Sequence, residues 1–565
     1  MKTIAFHNLG CKVNSYELDV MQQIMQEKGY EIVPFDKKAD VYVINTCTVT
    51  NIADRKSRQM LHRAKQKNPD AVVVAVGCYV QTDLAGAVKD PAIDLAIGNN
   101  RKKDIAEILE QYLAEREKNR EVAGGEGFCK TGELADGGWV GKTGNVAEGG
   151  EICCGAPDKT LGGATVLDIA HEKEYEEMQL KTTAEHTRAY IKIQDGCNQF
   201  CSYCAIPLAR GRVRSRKQED VLKEIRGIVD AGYLEIVLTG IHVSSYGIDF
   251  AKEDGDARGI GPVREDRDVR GIGPVREDGD ARGMDSAKED VSPIGIDSAR
   301  DYRGVTKLFD LIEEIHKIPG LQRIRISSLE PRIVTPETAK RLAALPKVCP
   351  HFHLSLQSGC DATLRRMNRH YTAQQYFESV QALRDAYAPR VPAITTDVIA
   401  GFPGETEEEF AETKAFLEKV GFYEMHVFKY SKRKGTRAAV MDGQVPEPVK
   451  ALRSDGLLEL ERKQSMEFRS RKLGQVVEVL MEEEKVIGGK NYLLGHTTDY
   501  VRAALLLPGN GATLDHGATP KEKPGAGAEL HQDAGKMARA GEILKLELLD
   551  FLTEDILLGR EINLF

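Results

Sequence analysis

The chain of 565 residues nowhere runs about 18 apolar residues together, and its opening, MKTIAFHNLGCKVN, has no charged start, apolar block and small-residue cleavage site of an export signal. Neither a membrane span nor secretion is therefore expected, and the protein is read as soluble and cytoplasmic. It also lacks an excess of positive charge. The formal net charge of −9 argues against a protein that coats nucleic acid non-specifically and confines any RNA contact to local patches. Tryptophan is almost missing, the one residue being Trp139 in a glycine-rich stretch. Cysteine is not scarce. Eleven cysteines in a reducing compartment read as ligands, catalytic groups or buried thiols rather than as disulfides.

Residues 196–205, GCNQFCSYCA, place Cys197, Cys201 and Cys204 at C-x3-C-x2-C spacing, with no fourth cysteine or histidine at a suitable distance. Tetrahedral structural zinc takes four protein ligands, and an iron–sulfur cube takes one thiolate per iron, so three thiolates leave one coordination position open. An open position points to chemistry rather than to a staple. The competing readings are a zinc knuckle and a plain electron-transfer cluster.

Cys11, Cys47 and Cys78 each follow a short apolar run: TIAFHNLG, VYVINT and AVVVAVG. The strand ends of a parallel sheet share one edge, so three residues distant in sequence can meet there. Such a site suits an iron–sulfur cluster with an open iron, or zinc completed by water or His7.

The fold class expected is α/β in three parts. Residues 1–120 alternate apolar runs with stretches of helical period, as in a parallel-sheet α/β domain. Six strand-like runs within 184–445 (YIKIQ, EIVLTGIHV, RIRISSLEP, HFHLSLQSG, TTDVIAGFPGE, MHVFKYSKR) alternate with helical stretches, as in a partial (β/α)6 barrel with its chemistry at the strand C-terminal ends. Residues 446–473 read as a connecting helix, and 474–565 as a small β-barrel. Three stretches read as insertions: glycine-rich 121–165, charged 249–303 and 508–540. The first holds Cys129, Cys153 and Cys154, taken as spectators. The second repeats RGIGPVRED at 258–266 and 270–278, and its acids do not match a calcium loop.

The central motif, with Tyr203 before its last cysteine, resembles that of the radical S-adenosylmethionine enzymes. The order of three N-terminal cysteines, this motif and a C-terminal barrel resembles the methylthiotransferases, whose C-terminal TRAM domain binds RNA. Within them, LGCKVN, INTCTVTN, GCYVQ, FPGETEEEF and HVFKYSKRKGT look like the branch acting on N6-threonylcarbamoyladenosine at position 37 of tRNA. The isopentenyladenosine branch favours glutamine-methionine where this chain has Lys12 and Val13. A further branch modifies an aspartate of a ribosomal protein.

The resemblance implies two [4Fe-4S] clusters and S-adenosylmethionine. Cys197, Cys201 and Cys204 would hold the cluster whose open iron seats the cofactor, and Cys11, Cys47 and Cys78 the auxiliary one that presents sulfur. Tyr203, Thr239, Gly240, Ser355, Gln357, Asp397 and Gly401 fit the cofactor's contacts. No side chain need act as general base. The partners implied are a tRNA anticodon loop and a low-potential electron donor of flavodoxin or ferredoxin type. The run ARGRVRSRK, with Arg210, Arg212, Arg214, Arg216 and Lys217, is expected to contact RNA. A non-enzymatic iron–sulfur or zinc RNA-binding sensor is the rival from a different class.

Overall fold

The computed structural model describes residues 2–123, 164–182, 187–250, 305–507 and 540–562. The three expected insertions lie, apart from their margins, outside the described residues, as do Trp139, Cys129, Cys153 and Cys154.

The N-terminal domain is one parallel sheet, ordered β2-β1-β3-β4-β5-β6. Its strands are β1 (Thr3–Asn8), β2 (Glu31–Ile32), β3 (Val41–Thr46), β4 (Val72–Gly77), β5 (Leu95–Ile97) and β6 (Ala164–Thr165). Every residue of β3 and β4 is buried, because helices cover both faces and the strands carry continuous apolar runs. One face packs against α1 (Lys12–Glu27), and the other against α2 (Asn51–Lys67). Helices α3 (Cys78–Thr82), α4 (Leu84–Lys89) and α5 (Ile105–Ala123) complete the domain. The expected boundary at 120 is too early for the sheet, since β6 comes from beyond it. A strand of two residues carries no legible period.

The middle of the chain supplies β7 (Ala189–Asp195), β8 (Arg214–Ser215), β9 (Glu235–Gly240), β10 (Arg323–Ile326), β11 (His351–His353), β12 (Ala393–Ala400) and β13 (Glu424–Lys429). Parallel pairing joins β7, β9 and β10 on one side and β11, β12 and β13 on the other. Parallel bridges Ile324–Val348 and Leu329–Leu354 connect the two halves. The six strands expected from the sequence therefore form one curved parallel wall, and β8 folds back antiparallel on β7. Helix α6 (Ile206–Arg210) follows the cysteine motif, and α7 (Gln218–Asp230) covers the outside. The core of this wall is continuous with the α1 face of the first domain. Tyr16 marks the join, donating to Met178 O (2.6 Å) and Glu224 Oε1 (3.0 Å).

After the helix Glu447–Ser470, five strands close a small barrel in the order β14-β15-β16-β18-β17. They are β14 (Val476–Ile487), β15 (Lys490–Thr497), β16 (Arg502–Leu506), β17 (Ile543–Thr553) and β18 (Ile556–Glu561). This barrel caps the N-terminal ends of the parallel wall. Arg325 donates to the carbonyls of Thr497 (2.7 Å) and Thr498 (2.9 Å) and to Glu235 Oε1 (2.6 Å). The ring of Tyr500 stacks on His351 (4.8 Å) and lies under the guanidinium groups of Arg325 (4.8 Å) and Arg188 (5.1 Å).

Replacing Arg325 with Ala frees two carbonyls and removes one cation from buried Glu235, a loss of about 3–5 kcal/mol for a broken buried pair. Arg325→Ala is expected to open the barrel strands β14 to β16 to trypsin at urea concentrations that the wild type resists. Unchanged cleavage would show that the remaining contacts, Arg323 to His496 O (3.2 Å) and Arg188 to Glu482 (2.7 Å) among them, hold the cap without Arg325.

Candidate active site

Cys11, Cys47 and Cys78 sit just past the C-terminal ends of β1, β3 and β4, which are adjacent in the sheet. Cys11 is the N-cap of α1, and Cys78 opens α3. Asn14 ties the edge together by donating to Leu9 O (2.8 Å) and Thr46 O (3.0 Å), while Asn45 Nδ2 donates to Asn14 O (2.9 Å). Gly77, at φ +99, leaves no room for a side chain, since a Cβ would lie 2.7 Å from Asn45 Oδ1. Burial pushes the Cys47 thiol up to about 12, with Cys78 adding to the shift. Cys11 is also raised by burial and is partly relieved by Arg210. The thiols are close enough to feel one another, and a bound metal cation would invert this balance and deprotonate them.

Cys197, Cys201 and Cys204 lie in the loop between β7 and α6. Gly196, at φ +71, makes the turn into it, and a Cβ there would fall 1.8 Å from the Arg212 carbonyl. Burial raises Cys197, and burial with Cys201 pushes Cys204 up to about 12. Arg369 Nη1 donates to Cys201 Sγ (3.2 Å), and Gln199 N to Cys197 Sγ (3.4 Å). Tyr203 meets Phe402 edge-on at 6.3 Å.

Around one zinc at Zn–S near 2.3 Å, tetrahedral geometry puts sulfurs about 3.8 Å apart. Among the described residues the one three-ligand group with all atoms within 4.8 Å is His353, Asp397 and His426. Neither set of sulfurs is gathered that tightly. Three thiols that stand apart in this way fit a multi-iron group better than a single ion.

The two sets are joined by a buried ionic network. Glu17 of α1 accepts from Lys192 Nζ (2.8 Å), from Arg210 Nη1 (2.7 Å) and Nη2 (2.9 Å), and from Lys102 Nζ. Asp195 accepts from Lys192 (2.7 Å) and Arg210 (3.1 Å), and its Oδ1 holds the amide of Gly196 (2.8 Å). Burial alone would raise the Glu17 carboxyl, but Arg210, Lys102 and Lys192 hold it well below the carboxylate range. Asn99 also spans the gap, donating to Cys78 Sγ (3.5 Å) and to Ala209 O (2.7 Å).

This network corrects one expectation. Arg210, Arg214 and Arg216 are not presented at the surface as the charge run suggests: each is at most 2% exposed. Arg210 pairs with Glu17 and Asp195, Arg214 lies 3.9 Å from Asp195, and Arg216 pairs with Glu224 and with Glu177 (3.2 Å). Carboxylates from distant segments neutralise what the sequence shows as a bare charge run. Arg212 and Lys217 are exposed, the former with its guanidinium 4.4 Å over the ring of Phe200.

The other expected contact residues fall on the parallel wall. Thr239 and Gly240 end β9, Ser355 and Gln357 follow β11, and Gly401 follows β12. Gln357 has φ +75 and bridges to Val398. Gly401 has φ +73, and its amide donates to Glu405 Oε2 (2.8 Å). Asp397 lies inside β12 rather than at its end, 3.3 Å from His353 Nε2. Arg369, Glu17, Asn14 and Asn99 were not anticipated. Of these only Asn14 carried a signal, by lying within LGCKVN.

Lys12 keeps accessible surface, yet burial, followed by Arg188 and Arg325, lowers its ammonium to about 8. The side chain is thus surrounded by protein and still reaches solvent. No ion pair or hydrogen bond engages this ammonium among the described residues.

A model of the radical SAM superfamily matches residues 191–417, and one of an uncharacterized protein family, UPF0004, matches 3–98. The chain is 36% identical over 503 residues to the threonylcarbamoyladenosine tRNA methylthiotransferase MtaB of Bacillus subtilis, covering 89% of this chain and 90% of that one. The protein of the same name from Aquifex aeolicus is 34% identical, with 87% and 95% covered. The chain belongs to the radical SAM tRNA methylthiotransferase family. Another relative in the family, the tRNA-2-methylthio-N(6)-dimethylallyladenosine synthase of Carboxydothermus hydrogenoformans, is 31% identical, with 84% and 86% covered. Membership implies S-adenosylmethionine and a [4Fe-4S] cluster, and the open three-thiol sets fit such a group. No helix among the described residues is long and apolar enough to cross a membrane.

For this radical SAM methylthiotransferase, the Arg369 cation beside Cys201 favours the more negative, reduced state of a group held there. Arg369→Gln is expected to keep its iron and shift the reduction potential to more negative values in a dithionite titration followed by electron paramagnetic resonance. A wild-type potential would remove Arg369 from any tuning role.

Proposed function

We propose that this chain attaches a methylthio group to C2 of N6-threonylcarbamoyladenosine at position 37, in the anticodon loop of tRNA, and holds two [4Fe-4S] clusters for the task. Cys197, Cys201 and Cys204 would hold the one that seats S-adenosylmethionine, and Cys11, Cys47 and Cys78 the auxiliary one. The observation that carries the reading is the presence of two separate open three-thiol sets, each at the C-terminal edge of a parallel sheet, joined through Asn99 and Arg210. Bound there, the clusters and cofactor supply the low-potential electron and the sulfur chemistry.

The chain's own residues do the rest. Asp195 fixes the Gly196 amide at the mouth of the first loop, and Asn14 fixes the edge that bears the second set. The network between them carries more cations than carboxylates, which suits thiolate-bound anionic groups on either side. Thr239, Gly240, Ser355, Gln357, Asp397 and Gly401 line the wall on which the cofactor would lie, beside Tyr203. The C-terminal barrel would act as a TRAM-like RNA-binding module, with an electron donor of flavodoxin or ferredoxin type.

The choice of substrate is supported by the names of the relatives and by Lys12. An unpaired ammonium beside Cys11 suits the carboxylate of a threonylcarbamoyl group. A dimethylallyl group offers it nothing. In a confined site such a charged contact is worth about 1.5–3 kcal/mol.

Protein reconstituted anaerobically with iron and sulfide, then reduced and given S-adenosylmethionine and bulk tRNA, is expected to add a methylthio mass to threonylcarbamoyladenosine in nucleoside mass spectrometry. Wild type should carry about eight irons, and Cys201→Ala or Cys47→Ala about four with no product. Ribosomes incubated in parallel should remain unmodified. Formation of deoxyadenosine without a modified nucleoside would leave the radical chemistry standing and defeat the substrate assignment.

Lys12→Gln should keep its iron and lose about 10- to 100-fold in kcat/KM on threonylcarbamoylated tRNA. A loss of less than twofold would mean that the carboxylate is read elsewhere.

A further inference from the structure

With three of the five expected RNA-contacting cations buried, the exposed positive charge near the site lies elsewhere. Helix α2 springs from the loop that carries Cys47. Along its outer face stand Arg55, Lys56, Arg58 and Arg63, and the one acid within the helix is Asp54. Asp54 is already engaged by Arg433 (2.7 Å). Arg55, Lys56 and Arg63 have no ion-pair partner among the described residues. Cations three and four apart on a helix repel by a few tenths of a kcal/mol per pair. Here Arg55, Arg58, Gln59, His62, Arg63 and Gln66 line a shallow trough of about 400 Å³.

The charge does not stop at the domain seam. Arg433, in the loop after β13, donates to Thr48 Oγ1 (2.6 Å), Asn51 Oδ1 (2.6 Å) and Asp54. Asn51 answers by donating its amide to Ser431 Oγ (3.1 Å) and its side chain to Lys432 O (3.2 Å). The pinned loop turns Lys432, Lys434 and Arg437 outward, in line with the start of α2. Val49 and Ile52 lie exposed between them, an apolar patch beside the Cys47 edge.

We propose that α2 and the 431–437 loop form one basic ridge, running across the seam between the two domains, that takes the phosphate backbone of tRNA flanking the modified base. The inference rests on the tRNA substrate argued above. At 1.5 Å per residue, α2 alone is about 25 Å long and can meet several phosphates. The ridge borders Cys47 at the start of α2 and reaches the loop of Cys197 to Cys204 at its other end, where Ala438 N donates to Ser202 O (2.8 Å), so tRNA and an acidic electron donor are to be told apart by measurement.

The test uses the reconstituted full chain and fluorescent tRNA, with binding measured by anisotropy over a range of salt concentrations. Arg55→Gln/Arg58→Gln/Arg63→Gln should weaken binding at least tenfold and flatten the slope of log K against log salt by about 2. Lys223→Gln/Arg226→Gln, on the exposed side of α7, should leave the slope at its wild-type value. A triple variant that keeps the wild-type slope overturns the ridge. So does one whose tRNA binding is intact while its reduction by flavodoxin slows, because the ridge would then serve the donor. Should the triple variant lose its circular dichroism spectrum, Lys432→Gln/Lys434→Gln carries the same expectation with a slope change of about 1. A wild-type protein that fails to bind tRNA brings down the substrate reading as well, whereas wild-type binding with unaltered variants brings down the ridge alone.

Discussion

A single buried carboxylate, Glu17, determines how the first two domains meet. It comes from the first helix of the chain and is held by Lys192 and Arg210 of the parallel wall and by Lys102 of its own domain. Taking an ion out of water costs several kcal/mol, and a close opposite charge returns about 4 kcal/mol where the effective dielectric is near 20. One acid facing three cations is therefore satisfied only when all of them arrive together. Asp195 shares two of these cations and also positions the Gly196 amide. The geometry of the cysteine loop thus inherits the register of the domain interface. Such a cluster gives little net stability compared with an apolar core, but it tolerates only one mutual placement of α1 and β7.

A second seam, at Arg433, works differently. It is made of hydrogen bonds to Thr48 and Asn51 and one ion pair to Asp54, near the surface, where water can replace lost partners. The buried network sets position, while the outer contact joins two stretches of surface into one. Both lie at the C-terminal edges of parallel sheets, where helix starts and loops leave backbone amides and side chains facing a common space. The cap made by Arg325, Arg188 and Tyr500 occupies the opposite ends of the same strands.

The six strands of the wall, β1, β3, β4 and β5 of the N-terminal sheet and the strand-end placement of Cys11, Cys47 and Cys78 were legible because each depends on a local pattern: an apolar run, its length and the residue that follows it; β2 and β6, of two residues each, were not. The relation between the two sets was not legible. Glu17 and Arg210 are separated by 193 positions, and nothing in SYELDV announces a buried acid. The arginine run misled for the same reason. Its alternate spacing suggests one exposed edge, but Gly211 at φ +68 breaks the chain direction after α6, and the acids that receive Arg210, Arg214 and Arg216 lie on α1, β7, α7 and the segment before β7. Meanwhile Arg55, Lys56 and Arg63 of α2, which the sequence did not single out, stay exposed, whereas Lys65 of the same helix is met by Asp94 (2.6 Å). Burial of charge is decided by partners, and partners are a property of the fold.

The cap also limits the routes of approach. With the N-terminal ends of the strands occupied by Tyr500 and its two arginines, a ligand lying against the wall comes in over the opposite edge or through the side where β8 and β13 are not paired with each other. Traffic is thereby turned toward the end of the wall that carries the cysteine loop.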